Sequence, residues 1–178
     1  MPLADNPLPH NRDAEKTILG AILTNNAHWL AAQEHHLKPD HFFMQENRLI
    51  FEAIAALAET DTPIDTITLM DYLAQHNRLE AAGGAAYIAT LQDGMPSVIN
   101  SKQYARIVHE KWELRDFMQT AHRLERVAQD GLVSPADLRA QLEEYRDRVA
   151  QCDRQAAHFL MRIAQLEFML GIKKKSDE

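Results

Sequence analysis

The 178-residue chain is 46 % hydrophobic and 25 % charged, with a single cysteine, and 26 acidic residues against 19 basic ones leave a formal charge of -7. One cysteine excludes an internal disulfide framework, and the acidic balance argues against a module built to grip phosphate backbones, so little direct DNA binding is expected. No apolar run approaches the ~20 residues that cross a bilayer, and the polar, proline-rich N-terminus lacks a signal pattern, so the chain reads as cytoplasmic with no membrane partner.

Glycine and proline are scarce while Ala, Leu, Glu, Gln and Arg abound, a mixture that favours helix because these side chains lose little rotamer freedom there. Residues 1–10, with Pro2, Pro7 and Pro9, read as a flexible arm. Asn11 then caps a helix whose first turn holds Asp13 and Glu15, placed to favour the positive end of its dipole. Ala14, Ile18, Ala21 and Ile22 share one face of it, and Asn25-Asn26 ends it. A short helix anchored by Trp29 follows, and Pro39 separates it from Phe42-Phe43. Leu49, Ile50, Ala53, Ile54 and Leu57 form the clearest amphipathic stripe in the chain. Thr62-Pro63-Ile64-Asp65 is a turn, with Asp65 or Thr66 capping the helix of Leu69, Tyr72 and Leu73. Gly83-Gly84 breaks the chain before a short helix carrying Tyr87, Ile88 and Leu91, and Gly94-Met95-Pro96-Ser97 closes the globular portion.

After Asn100 the character changes. Ser101 is placed to cap a helix running to about Gln129, roughly 40 Å long at 1.5 Å per residue. Following an Asp130-Gly131 turn, Ser134 as cap, Pro135 in the first helical position and Asp137 in the first turn start a second long helix. Leu138, Leu142, Tyr145, Val149, Cys152, Ala156, Phe159, Ile163, Leu166 and Leu170 alternate in steps of four and three along it, which argues for coiled-coil-like packing. The fold class is therefore all-α: a compact helical head over residues 11–99, a long αα-hairpin over 100–171, and a polar tail over 172–178. Leu160, Phe168 and Met169 widen the stripe beyond what one partner helix covers. This makes Phe159, Leu160, Ile163, Leu166, Phe168, Met169 and Leu170 the candidate oligomer interface.

Chemistry-bearing patterns are thin. Gly83-Gly84 runs into Ala85-Ala86-Tyr87, without the lysine and hydroxyl of a phosphate-cradling loop, and no Gly-x-x-x-x-Gly-Lys-[Ser/Thr] occurs, so neither a nucleotide cofactor nor an NTPase activity is expected. His35, His36, Asp40 and His41 crowd together, yet their spacing fits no zinc pattern and reads as a polar helix end running into a loop. Cys152 lies on an apolar stripe as a small packing residue, and Glu143, Glu144 and Asp147 read as a solvated helix face. Lys173-Lys174-Lys175 reads as a solvated tail at the negative end of the last helix. No catalytic or metal site is predicted.

Five short patterns, in order over residues 9–131, give the chain a family likeness. Pro9-His10-Asn11-Arg12-Asp13-Ala14-Glu15 with Leu19-Gly20-Ala21-Ile22-Leu23 resembles the opening of DnaB-type replicative helicases. So do Asp40-His41-Phe42-Phe43 with Asn47-Arg48-Leu49-Ile50-Phe51, Pro63-Ile64-Asp65-Thr66-Ile67-Thr68-Leu69, and Leu79-Glu80 with Gly83-Gly84-Ala85-Ala86-Tyr87. The last is Pro96-Ser97 and Asn100 with Tyr104-Ala105-Arg106-Ile107-Val108 and Leu114-Arg115. Two departures are an extra His41 beside the aromatic pair and Asn47 where the family usually has His. After about Gln151 no family pattern is recognised.

The resemblance is to the N-terminal, non-motor domain, and it implies a non-catalytic assembly and recruitment role in DNA replication. In the family, six such domains form a collar on the helicase ring, and the collar recruits primase through its C-terminal helicase-binding domain. On that basis Tyr87, Met118 and Leu124 match positions that contribute to primase contact, and self-association as a dimer or larger assembly is implied. The alternative is a stand-alone phage- or plasmid-type regulator or loader that docks on a host helicase.

Overall fold

The computed structural model describes residues 8–93, 95, 99–130 and 134–151, with side chains described to Asp147. Within them the chain is helical, in the order α1 (Arg12–Thr24), α2 (Trp29–Glu34), α3 (Gln45–Glu59), α4 (Thr66–Gln75), α5 (Gly84–Thr90), α6 (Ser101–Gln129) and α7 (Pro135–Gln151). Single 3-10 turns precede α2 and α3 at Asn26–His28 and Pro39–His41. Two compact units divide between Arg115 and Asp116, inside α6.

The caps follow the side chains that sequence singled out. The Asn11 side chain accepts from the Ala14 amide at 2.9 Å. Asp65 accepts from the Ile67 and Thr68 amides, each at 2.8 Å, while the Thr68 hydroxyl accepts from the Asp65 amide at 3.0 Å, a reciprocal capping box. Ser134 accepts from the Asp137 amide at 3.2 Å and donates to its carboxylate. At α6 the cap lies one residue earlier than expected. The Asn100 side chain accepts from the Gln103 amide at 3.2 Å, which places Ser101 inside the first turn, with its hydroxyl 3.0 Å from Nδ1 of His28.

All five residues of the α3 stripe are buried, and with Phe42, Phe51, Ile18, Leu19, Ile22, Leu69, Leu73 and Ile88 they form the core of the first unit. Helix α1 is buried more widely than its four-residue stripe, because Leu19, Gly20 and Leu23 also face inward. In α2 the fully buried residues are Ala31 and Ala32, and Trp29 is only half-buried, packed 5.5 Å from the Phe51 ring. Ala105 and Val108 of α6 join the same core. The first half of α6 therefore belongs to the head, which is why the compact units part inside the helix.

His41 corrects the reading of residues 35–41 as a polar helix end. It is 2 % exposed, with its ring stacked 4.0 Å from Trp112, whereas His36, in the left-handed region at φ 48°, is exposed. Among the described residues no group of three His, Cys, Asp or Glu is arranged to hold a metal ion.

In the second unit Phe117, Leu124, Leu138, Leu142 and Tyr145 are buried. The Phe117 and Tyr145 rings lie 6.0 Å apart, and the Tyr145 hydroxyl donates to Asp116 at 3.2 Å. Leu124 and Leu138, one heptad away from Phe117 and Tyr145 on their respective helices, are both buried. The first three positions of the predicted heptad stripe thus face the hairpin core. Its continuation, including Cys152 and the interface candidates from Phe159 to Leu170, lies outside the described residues, as do Gly94, Pro96, Ser97 and the lysine tail. Glu143, Glu144 and Asp147 are exposed, as a solvated face requires.

Gly20 marks the tightest approach in the first unit. A Cβ there would run into the Leu91 carbonyl oxygen at the end of α5 and come within 3.1 Å of Met95 Sδ. Alanine is favoured over glycine in a helix by about 1 kcal/mol, but a backbone carbonyl cannot move aside as a side-chain end can. Gly20→Ala should therefore destabilise the chain by roughly 2 kcal/mol in urea unfolding, despite its better helix propensity.

Candidate functional site

Tyr87 is the sequence-nominated residue whose surroundings are most fully defined. Its room is made by Gly83-Gly84, both at positive φ (92° and 72°). A Cβ on Gly83 would lie 2.7 Å from Tyr87 Cδ1, so the glycine lets the ring fold back over the start of α5. The ring is half-buried, and the Lys16 ammonium lies 5.4 Å from its centroid. Its hydroxyl donates to Oδ1 of Asn47 at 2.7 Å, and Asn47 is fully buried. Burial pushes the phenol pKa up, with the Glu46 and Glu15 carboxylates adding to the effect.

Behind Asn47 stands Glu15, whose carboxylate is 2 % exposed. It accepts from Nδ2 of Asn47 at 2.9 Å and from the amides of Phe43 and Met44 at 2.7 and 3.3 Å. Met44 occupies the N-cap position of α3 and makes no side-chain cap. A carboxylate from α1 thus supplies the acceptors that the start of α3 lacks, where the dipole also favours negative charge. One continuous chain of hydrogen bonds runs from α1 through α3 to the Tyr87 hydroxyl on α5.

Arg115 completes the surroundings. It is 4 % exposed, donates to the Pro9 carbonyl at 2.8 Å and to the His41 carbonyl at 2.6 Å, and sits 5.6 Å from the Phe43 ring centroid. Burial lowers its pKa, and the nearby Glu15 carboxylate works against that shift. His10 stacks on the same Phe43 ring at 4.3 Å. The end of the N-terminal arm is thereby fastened to the head.

The other two nominated residues lie in the second unit. Met118 is half-buried, while Leu124 is 2 % exposed and faces the hairpin core. Six residues of helix turn them about 120° apart around α6, so they do not share one face. Glu15 and Asn47 were not nominated at all. The available signal was a polar residue standing on an apolar stripe: Glu15 shares the face of Ile18, Leu19 and Ile22, and Asn47 that of Ile50, Phe51 and Ile54.

Helices throughout the described residues, with Glu15, Asn47 and Tyr87 joined by internal hydrogen bonds, define an all-α domain class. Residues 7–110 match the family model described as the DnaB-like helicase N terminal domain. The chain is 38 % identical over 114 residues to the replicative DNA helicase DnaB of Pasteurella multocida, covering 64 % of this chain and 24 % of that protein. It is 35 % identical over 136 residues to that of Geobacillus stearothermophilus, covering 76 % of this chain and 29 % of that protein. Among solved structures, the N-terminal domain of DnaB helicase from Mycobacterium tuberculosis superposes with a TM-score of 0.72 at 30 % identity, over 78 % of this chain and 99 % of that one. A structure of a DnaB-like replicative helicase and its interactions with primase shares the fold, with a TM-score of 0.62 at 24 % identity, over 75 % of this chain and 31 % of that one. The chain belongs to the family of DnaB-like helicase N-terminal domains. It spans about a quarter of the length of the curated relatives it matches, and among the described residues no helix is long and apolar enough to cross a membrane.

The hydrogen-bond chain sets an order of mutational cost. Glu15→Ala leaves one buried and two part-buried donors without their acceptor and should cost about 3 kcal/mol, while Tyr87→Phe removes one part-buried bond and should cost about 1 kcal/mol. Urea unfolding of both variants and of Glu15→Gln, expected between them, checks the order.

Proposed function

We propose that this domain is a non-catalytic assembly and partner-recruitment module of a bacterial replicative helicase. It self-associates, with a six-membered collar as the end state, and it recruits primase through that protein's C-terminal helicase-binding domain. The observation that carries this reading is the match of residues 7–110 to the helicase N-terminal domain, together with a half-buried Tyr87 held from behind by buried polar groups. A partly exposed aromatic ring already held in one orientation by a hydrogen bond loses little freedom on binding, which suits a protein interface. The acidic balance also favours a protein partner over nucleic acid. The chain itself supplies no motor chemistry in this reading.

Tyr87, Met118 and Leu124 are the proposed positions for primase contact; Leu124 is also buried, so Tyr87 and Met118 are the ones whose variants separate binding from packing. Tyr87→Glu and Met118→Glu should weaken the complex with the primase C-terminal domain by tenfold or more, roughly 1.4 kcal/mol, with the helical signal intact. Leu124→Glu should also unfold the hairpin, because it forces a charge into a position that is 2 % exposed. Unchanged affinity in the first two variants, measured by titration calorimetry, would remove the assignment.

For self-association, the interface is proposed to include the C-terminal stretch with Phe159, Leu160, Ile163, Leu166, Phe168, Met169 and Leu170, where the heptad stripe widens. Light scattering at tens of micromolar should give a dimer or larger species. A species of monomer mass would overturn this, and a truncation at Gln151 that leaves the assembly intact would move the interface to α6.

A further inference from the structure

His41 occupies a setting that a titratable ring seldom tolerates. Its ring is stacked on Trp112 at 4.0 Å and meets the edge of His109 at 5.1 Å, both from α6. Its Nδ1 is buried and has no hydrogen-bond partner among the described residues. Its backbone carbonyl is the acceptor for Arg115. The side chain and main chain of one residue thus join the Pro39–His41 turn to three positions on α6, one turn apart or less.

The charges around the ring are arranged against a proton. From its own segment it faces Lys38 and Asp40; the Asp40 carboxylate stands 4.0 Å from Nε2 and is itself 64 % exposed. From α6 come His109, whose own ring pairs with Glu113 at 3.7 Å, and the Arg115 guanidinium. From α3, Arg48 donates to the neighbouring Phe42 carbonyl, and from α1 the Glu15 carboxylate spends its oxygens on Phe43, Met44 and Asn47. Among the described residues no buried acid is paired with His41 to balance a charge formed there, and a buried unpaired cation is costly.

We propose that His41, Trp112 and His109 form an acid-releasable latch that holds the first half of α6 on the head: closed while His41 is neutral, and opened by its protonation. Burial, helped by His109, Lys38 and Arg115, lowers the His41 pKa from 6.5 to about 3. The sign follows directly. Below pH 6.5 the unfolded chain takes up a proton that the folded chain refuses, so the stabilisation is complete above pH 6.5 and drains away as pH falls toward 3.

The measurement is urea unfolding of the full chain at pH 7.5 and pH 5.0, followed by tryptophan fluorescence, for wild type and His41→Phe. Phenylalanine keeps an aromatic ring against Trp112 and cannot take a proton. In wild type the acid shift should raise the unfolding constant by about 30-fold through His41 alone. In His41→Phe the rise over the same range should be smaller by about that factor. Equal acid sensitivity in the two proteins would overturn the latch. Should His41→Phe fail to fold, histidine-labelled wild type decides by NMR: the His41 ring should remain neutral at pH 5.0, and titration near 6.5 would overturn the proposal.

Discussion

A carboxylate removed from water organises the first unit. Glu15 sits on the inward face of α1 among Ile18, Leu19 and Ile22, where an ionised group would be costly without partners. Its two oxygens are spent on the Phe43 and Met44 amides and on Asn47, so one side chain satisfies the backbone donors at the start of α3 and fixes the amide that receives the Tyr87 hydroxyl. The position of α3, the path of the loop before it and the tilt of the Tyr87 ring are consequences of the same interaction. Apolar packing could bring α1, α3 and α5 together in more than one register. The directional bonds of a buried polar network leave fewer.

Around that network the loop from Pro39 to Met44 is held from three sides. Arg115 reaches the His41 carbonyl, Arg48 reaches the Phe42 carbonyl at 2.6 Å, and Glu15 takes the next two amides. A segment with no regular hydrogen-bond ladder thereby has its backbone groups paired by side chains from α6, α3 and α1. The second guanidinium nitrogen of Arg115 holds Pro9, so the end of the N-terminal arm belongs to the same structure. The ion pairs Lys102–Glu34 and Arg78–Glu52, both at 2.8 Å, lie in water and add little by comparison.

The second unit follows simpler rules. The heptad stripe on α7 meets Phe117 of α6, Leu124 is buried as well, and the Tyr145–Asp116 hydrogen bond lies beside the ring contact. Burial there uses up Leu124, and Met118, turned about 120° away, keeps part of its surface. Two residues six apart on one helix thus divide between the inside and the outside of the hairpin.

The sequence by itself determined what is local. Helix periodicity gave the buried face of α3, Asn11 and Ser134 declared their caps, Asp65 stood as one of two candidates with Thr66, and Gly83-Gly84 announced the break before α5. Each depends on residues within a turn or two of one another, where sequence spacing is spatial spacing. Order of motifs along the chain was enough to place it in its family. Tertiary structure alone decided the roles of residues far apart in sequence: Glu15 with Asn47 and Tyr87, Arg115 with Pro9 and His41, and His41 with Trp112. A glutamate in a first helical turn reads as a dipole partner and a histidine after Pro39 as loop polarity, since local pattern carries no record of what a fold brings opposite. The Asn100 cap was missed for a smaller reason: Asn100 and Ser101 are both good caps, and the pairing of Ser101 with His28, 73 residues away, settled which one was free to serve.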